Sequence, residues 1–416
     1  MFAVPAASIN VPGFGLINYF VSLNQPQLLA LLLLVPAGFL LSRQKNTLRL
    51  GATPADKLLL AYVLLVGLLQ LREANLTSSL RGGYYLVLGT VLPYYVASRA
   101  PRQLGDFRVV MLAFVGAAAL LGVLAAFETL KHWNLYSSLT HSLGLRWGYG
   151  GYLGRDGLLR ASGSLGQPLV LGYVMAIGIG FWLFLRSDRP STAGTEVPLL
   201  MMAGGSVAAL SRGPWVGAVV ILLVFIWTGP RAARHTALLV VLAALGMGAL
   251  SVTSAGQKAL NLLPFIGKVD EFNVTYRQQL LDKALSVIDR HFWLGSVDYL
   301  QTPEMQSMIQ GEGIVDIVNS YVGVALDHGA IGLALFAGFF VTLAWQLWQA
   351  QRRLPPDDET RFLGRALLAT LVGIAVMISS LSSVGVIPFV YWLVAGLCVA
   401  YLDMLKRLTS NPTPAP

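Results

Sequence analysis

The chain has 416 residues, of which 55% are apolar and only 12% are charged. A soluble domain carries about 25% charged residues, so a soluble globular protein is excluded and lipid must surround most of this chain. The single cysteine, Cys398, lies in an apolar run, which excludes disulfides and cysteine-based metal sites. The formal net charge is +9, and the positions of the basic residues decide what that charge means.

A membrane-spanning helix needs about 20 mostly apolar residues. The sequence contains eleven such segments, and a twelfth in 10–24 stays open because that stretch is short and polar. The predicted fold class is therefore all-α: a polytopic bundle of 11–12 transmembrane helices with a long loop that contains short amphipathic helices. The predicted spans are 26–42, 56–72, 79–98, 106–128, 168–187, 195–210, 213–228, 235–255, 329–350, 361–382 and 385–404.

Most basic residues fall in alternate loops between these spans. The clusters lie at 43–57, 99–108, 186–189, 231–234, 352–365 and 406–407. The positive-inside rule makes this face cytoplasmic, together with the C-terminus. Membrane orientation thus accounts for most of the positive charge, and no nucleic-acid partner is expected.

Two long segments, 129–167 and 256–328, fall on the opposite face. The predicted organisation is a set of N-terminal helices over 1–255, a large periplasmic loop over 256–328, C-terminal helices over 329–408 and a Pro-rich tail over 409–416. Loops of this length are usually functional. The span interiors are nearly free of ionisable residues, which disfavours an ion-coupled transporter but leaves an uncoupled lipid flippase open.

Arg212 is predicted to lie in a tight turn between two spans, close to a helix N-terminus. The helix dipole and a fixed guanidinium both favour an anion such as a phosphate there. The alternative is an interfacial arginine that only reaches toward water. Arg160 precedes a similar tight helix start that contains Gly163, Gly166 and Pro168, which on its own is a weaker signal.

Arg277 is predicted in the first turn of a loop helix, because Thr275 and Gln278 match a capping box. A cation is unfavourable at a helix start unless an anion binds there too. The alternative is that Arg277 pairs with Asp282 or Glu271. The apolar residues of this helix predict an amphipathic face that can lie on the membrane surface: Leu280, Leu281, Ala284, Leu285 and Ile288.

Glu312, Asp316 and Asn319 are spaced by four and three residues, which predicts that they share one helical face. A carboxylate at the membrane edge can act as a general base toward a hydroxyl nucleophile. Either acid, taken alone, could equally be a solvated loop residue. His328 is predicted at a helix junction beside Gly329, in a structural role.

Together these segments resemble the superfamily of O-antigen ligases and Wzy-type polymerases of the bacterial envelope. The shared patterns are RxSGxxGxPxxLG at 160–172, SRG at 211–213, an arginine at the start of a loop helix, and N-x9-GxxG at 319–332. In the ligases a functional histidine precedes the asparagine of the last pattern, and here that position is Val318. The stretch is closer to members associated with exopolysaccharide loci, which are thought to be repeat-unit polymerases.

The resemblance implies a metal-independent glycosyltransferase without a cofactor, on the periplasmic side of the bacterial inner membrane. Its donor would be an undecaprenyl-diphosphate-linked oligosaccharide, and its acceptor a lipid-linked glycan. An O-antigen ligase that uses lipid A-core is the alternative, and a flippase for lipid-linked oligosaccharides is a less favoured one. A chain-length regulator and a flippase could be partner proteins.

A leaving diphosphate needs its charge stabilised, and the sequence offers arginines rather than a metal-binding carboxylate pair. Arg212 and Arg277 are the predicted diphosphate clamp, with Arg160 as an auxiliary. Glu312 or Asp316 would deprotonate the acceptor hydroxyl with help from Asn319, and displacement would invert the anomeric carbon. The weaker site candidates are Arg290, His291 and His328.

Overall fold

The protein is a multi-pass membrane protein built almost entirely from helices, so the predicted all-α class is confirmed. A computed structural model describes residues 6–12, 19–45, 47–144, 146–147, 153–155, 157–186, 192–262, 271–309 and 313–410. Within these ranges eight helices are long and apolar enough to cross a membrane. The other three predicted spans, 79–98, 195–210 and 213–228, overlap helical segments at 76–99, Ala193–Ala208 and Arg212–Trp227. How many of the eleven helices cross the membrane stays a prediction.

The helices are numbered here in chain order. They are α1 Gln25–Arg43, α2 Pro54–Arg72, α3 76–99, α4 Leu104–Lys131, α5 Leu135–Ser142, α6 Pro168–Arg186, α7 Ala193–Ala208, α8 Arg212–Trp227, α9 Ala232–Ser251, α10 Ser254–Leu262, α11 Glu271–Arg290, α12 Pro303–Gln306, α13 Ser320–Arg352, α14 Glu359–Ile378 and α15 Ile387–Ser410. Both α1 and α3 contain a wide π-helical turn, at Ala30–Leu34 and Val87–Val91. Each of these turns lies just before a proline, Pro36 or Pro93, whose ring cannot fit the regular helix.

The open question of a twelfth span at 10–24 is answered by strands. β1 Ala7–Pro12 pairs antiparallel with β2 Tyr19–Leu23 and with β3 Arg146–Trp147. The described residues of this stretch, 10–12 and 19–24, therefore contain no helix. Helix α1 begins only at Gln25, because the side chains of Asn24 and Gln27 hydrogen-bond each other's backbone N–H groups and cap the helix there. A second small hairpin joins β4 Gly154–Arg155 to β5 Leu158–Leu159.

The centre of the bundle is α6, which packs against α4, α7, α8 and α14. Small residues allow these helices to approach closely. Helices α4 and α7 cross at Gly122 and Gly205, where a Cβ on Gly205 would lie 2.6 Å from the Cα of Gly122. Large side chains of α6 such as Tyr173 and Phe181 are fully buried in the core.

The basic loops meet at one end of the bundle. Arg99 forms a fully buried ion pair with Asp56 at 2.9 Å, which joins α3 to α2. Arg108 pairs with Glu359, and Arg365 donates to a carbonyl near the end of α8 at 2.6 Å. The clusters at 43–57, 99–108 and 352–365 therefore lie at one end of the molecule, beside the end of α8. That this end is cytoplasmic stays a prediction, and the opposite end is called the distal end below.

Candidate functional site

A serine-rich turn between α14 and α15, residues 379–383, lies at the distal end. Ser382 hydrogen-bonds through its hydroxyl to Oδ1 of Asp316. Ser320, the first residue of α13, donates from Oγ to the carbonyl of Leu381 at 2.9 Å, and it accepts from the Ser383 hydroxyl at 2.8 Å. This serine turn therefore holds both Asp316 and the start of α13.

The start of α8 touches the same turn. Helix α8 begins at Arg212, and a Cβ on Gly213 would lie 2.7 Å from Oγ of Ser380, so the glycine allows this contact. The Arg212 guanidinium donates from Nε to the Leu262 carbonyl at 3.1 Å and from Nη2 to the Asn261 carbonyl at 3.2 Å. Arg212 thus lies at a helix N-terminus and also secures the last carbonyls of α10.

The loop helix α11 begins at Glu271, four residues before the predicted cap at Thr275, so that prediction is wrong and Arg277 lies in the second turn. The physical reason is packing. Tyr276, buried in a small loop core, extends the apolar stripe of α11 toward its N-terminus, and burial of such a stripe outweighs a local capping preference.

The buried stripe of α11 also differs from the predicted one. Leu280, Ala284 and Val287 are buried against side chains of the following loop and of α13, whereas Leu281 and Leu285 are 44% and 48% exposed. The helix face that could lie on the membrane is therefore narrower than predicted.

Asp316 lies beside the second turn of α11, the turn that carries Arg277. The Tyr276 hydroxyl donates to the Asp316 carbonyl at 3.3 Å, which places the second turn of α11 beside this residue. The surrounding protein lowers the pKa of Arg277 by partial burial, and the Asp316 carboxylate opposes this shift by attraction. Of the two alternative partners, no described contact joins Arg277 to Asp282, and the Glu271 side chain lies outside the description.

The predicted helical face of Glu312, Asp316 and Asn319 is wrong. Residues 315–319 are not helical, because Asn319 is the N-cap of α13 and its Oδ1 accepts from the backbone N–H groups of Tyr321 and Val322 at 2.9 and 3.3 Å. Glu312 lies outside the described residues. Asp316 is therefore the described acid that the structure brings to the serine turn.

Gly329 interrupts α13 with φ 67° and ψ −167°, and there its backbone crosses the turn that follows α11. A Cβ at Gly329 would lie 2.3 Å from the carbonyl carbon of Trp293. Ala330 N–H donates to the Phe292 carbonyl at 2.7 Å. A larger residue is also disfavoured at Gly332, because an added Cβ would lie 2.3 Å from the Cβ of His328. The N-x9-GxxG pattern thus encodes a helix cap and a backbone crossing, with His328 directly before the break.

Arg72, which the sequence analysis missed, fastens this crossing from the end of α2. Its guanidinium donates to the carbonyls of Leu294 at 2.9 Å and Gly295 at 3.1 Å. Gly295 has φ +63°, and a Cβ there would lie 2.5 Å from the Asp327 carbonyl carbon. Gly295 and Gly329 therefore lie on the two sides of one backbone crossing, between the turn after α11 and α13.

The pattern at 160–172 forms a tight turn into α6, since Gly163 and Gly166 have φ of +53° and +81°. The turn is held by Glu128, a buried residue near the end of α4. One carboxylate oxygen accepts from Ser162 N–H at 3.1 Å and Gly163 N–H at 2.8 Å, and the other accepts from Leu135 N–H at 3.1 Å. Sequence reasoning missed Glu128, although an acid in the last turn of a long apolar helix is itself a signal.

Arg160 faces the end of α7 rather than the serine turn. Its Nε donates to the Ala209 carbonyl at 3.4 Å, and Arg155 donates to the Leu210 carbonyl at 2.7 Å. Burial lowers the pKa of Arg160 to about 10, and repulsion from Arg155 adds to the shift. Arg160 therefore supports the backbone that leads into Arg212.

The weaker candidates lie elsewhere. Arg290 pairs with Glu304 at 2.7 Å, a contact that lowers the pKa of Glu304 to about 2. Arg290 is thirteen residues from Arg277 on the same helix, or about 20 Å. His291 is exposed beside it, and His328 packs edge-on against the Tyr62 ring with centroids 5.9 Å apart.

Residues 197–337 match a family model described as O-antigen ligase. The predicted resemblance is confirmed. The matched region contains Arg212, Arg277, Asp316 and Asn319, and it ends before the serine turn. The chain is also 26% identical over 197 residues to an O-antigen ligase of Pseudomonas aeruginosa, an alignment that covers 47% of this chain and 45% of that protein. The chain thus spans about half the length of the curated relative that it matches.

Proposed function

We propose that the protein is a glycosyltransferase of the bacterial inner membrane that acts at its periplasmic side. It would transfer a glycan from undecaprenyl diphosphate to an acceptor hydroxyl. The observation that supports this most strongly is that the Asp316 carboxylate and the start of α8 meet at the serine turn, with the second turn of α11, which carries Arg277, beside Asp316. The similarity of residues 197–337 to O-antigen ligases supports the same chemistry.

In this reaction the bond between the anomeric carbon and the diphosphate oxygen breaks, and the leaving group takes the electron pair. Negative charge grows on the diphosphate, so fixed positive groups that face it lower the barrier. Arg277 supplies one such group on the exposed face of α11. Arg212 supplies another at the start of α8, where backbone N–H groups also favour an anion.

The acceptor hydroxyl forms the new bond to the anomeric carbon and loses its proton. Asp316 is suited to take this proton, because Ser382 fixes one carboxylate oxygen and Arg277 lies near. The proton then passes to solvent. Asn319 holds the start of α13 beside Asp316, and Glu312 remains a second candidate base.

Polymerase and ligase differ in the acceptor. Val318 at the position of the ligase histidine favours a Wzy-type polymerase, whose acceptor is another lipid-linked repeat unit. The names of the matching family and relative favour a ligase, whose acceptor is lipid A-core. Loss of a polymerase leaves single repeat units on lipid, whereas loss of a ligase leaves finished chains on lipid. A flippase would need no base at all.

The test is transfer in membranes that contain Asp316→Asn, with lipid-linked glycan as substrate. We expect transfer to fall by about a hundredfold or more, the usual contribution of a general base. Glu304→Gln is the matched control, because Glu304 is an acid of the same loop that pairs with Arg290 on the surface. Normal transfer by both Asp316→Asn and Glu312→Gln would contradict the proposed base. Analysis of the lipid-linked products separates polymerase from ligase.

A further inference from the structure

A cavity of about 380 Å³ lies at the distal end, between the N-terminal hairpin and the segment that follows the serine turn. Strands β1 and β2 and the cap of α1 form one wall, with Tyr85 of α3 beside them. Gly385 and Val386 form the opposite wall. The volume lies in the lower part of the range for pockets that bind small ligands.

The wall residues leave several polar groups for a ligand. In the α1 cap, the side-chain oxygens of Asn24 and Gln27 are both used as acceptors, so their amide nitrogens are left as donors. No hydrogen bond of the Ser8 or Ser22 hydroxyl is found within the described part of the chain, and both residues line the cavity. Unused donors and acceptors of this kind bind either water or a polar ligand.

The chemistry of the wall is neutral. Among the described residues that line the cavity, none carries a formal charge. Hydroxyl and amide groups stand beside the Tyr85 side chain and the apolar side chains of Pro26, Leu165 and Val386. A sugar ring presents hydroxyls at its edge and C–H groups on its faces, and it suits such a wall, whereas a diphosphate requires cations.

The cavity is also close to the proposed reaction site. Gly385 is three residues from Ser382, which holds Asp316, so their Cα atoms are at most about 11 Å apart. Leu165, which also lines the cavity, belongs to the turn that leads into α6. The hairpin contacts this turn, because Ala6 N–H donates to the Ser164 carbonyl at 2.8 Å. The hairpin is thus fastened to the turn that leads into α6, and across the cavity it faces the segment that follows the serine turn.

From these observations, and resting on the proposed function, we infer that this cavity binds a neutral sugar residue of the glycan being transferred or of the acceptor. The sugar would lie between the N-terminal hairpin and Gly385, with its glycosidic end toward Asp316. The hairpin then serves substrate recognition, a role for which the family resemblance offers no motif.

The test is protection of a thiol in the cavity. Ser22→Cys, in a Cys398→Ala background, places a nearly isosteric thiol on the wall, and its rate of reaction with a small neutral methanethiosulfonate is measured in nanodiscs. The probes are undecaprenyl-diphosphate-linked glycan from the source cells, undecaprenyl diphosphate alone, and lipid A-core. Asn10→Cys is the control, because Asn10 is exposed, pairs with Ser22 across the hairpin and does not line the cavity.

At about ten times its Kd, a glycan in the cavity should slow labelling at position 22 about tenfold. Undecaprenyl diphosphate should not slow it, and position 10 should respond to no probe. Protection by the lipid-linked glycan assigns the sugar to the lipid-linked substrate, and protection by lipid A-core assigns it to a ligase acceptor. Absence of protection by both glycans at position 22, and again in Ser8→Cys, would overturn the inference.

Transfer by the unmodified protein in the same nanodiscs tests the proposed function separately. Transfer without protection would mean that only the sugar cavity is wrong. Protection without transfer to either acceptor would keep the sugar site and contradict the glycosyltransferase.

Discussion

Gly329→Ala should destabilise the protein strongly, because the added Cβ is disfavoured both by the local backbone conformation and by contact with a neighbouring backbone segment. The observed φ of 67° with ψ of −167° lies in a region that is essentially restricted to glycine, which costs about 1–3 kcal/mol for another residue. The new Cβ would also lie 2.3–2.4 Å from backbone atoms of Trp293 and Leu294, which no rotamer change can relieve. Such crowding costs about 1–3 kcal/mol, so the free energy of unfolding should fall by about 2–6 kcal/mol.

The measurement is unfolding in mixed micelles, followed by tryptophan fluorescence, with transfer assayed on the same samples. Gly338→Ala is the matched control, since it lies in the same helix and its Cβ would meet nothing within 4 Å. There alanine should stabilise the helix by up to about 1 kcal/mol. Gly295→Ala should resemble Gly329→Ala, and the double variant should lose less than the sum, because one opening relieves both contacts. Equal stability of Gly329→Ala and Gly338→Ala would refute the close crossing.

Three further results are expected. Arg212→Lys should slow transfer by about tenfold to a hundredfold, because an ammonium cannot reproduce a planar fork on a diphosphate; an unchanged rate would leave Arg212 as a structural anchor. Glu128→Ala should lower the free energy of unfolding by about 2–4 kcal/mol, because three backbone N–H groups lose their acceptor, and equal unfolding curves would contradict this. In a Cys398→Ala background, an impermeant reagent applied to intact spheroplasts should label a cysteine at Asp298 and not one at Asp357; equal labelling would refute the orientation.

The features that the sequence predicted correctly depend on local chemistry. Apolar length predicts the helices, and the tight turn into α6 follows from Gly163 and Gly166, whose positive φ angles few other residues adopt. The position of Arg212 at a helix start follows from the short gap between two apolar runs.

The features that the sequence predicted wrongly depend on distant contacts. Helix α11 begins at Glu271 rather than after Thr275, because the apolar stripe that includes Tyr276 packs in the loop core. Residues 315–319 have helical spacing in the sequence, but the Asn319 cap and the contact with the serine turn set the start of α13. A one-dimensional pattern does not contain these partners.

The serine turn was missed because hydroxyl groups have no characteristic spacing. Its only sequence signal is four serines in the five residues 379–383, between two apolar spans. Polar residues crowded at a span end on the face opposite the basic loops would have indicated the site. Arg72 gave no signal, since its partners are backbone carbonyls more than two hundred residues away.

Helix α9 has no buried residue along Ala232–Ser251. We therefore expect its tilt to depend on hydrophobic mismatch with the bilayer more than on packing against neighbouring helices. Twenty residues rise about 30 Å, close to the hydrocarbon thickness, so a thinner bilayer would incline the helix. Its distal end continues into α10, whose last carbonyls are bonded to Arg212. We therefore expect the acyl-chain length of the surrounding lipid to influence the position of α10 and, through Arg212, the start of α8.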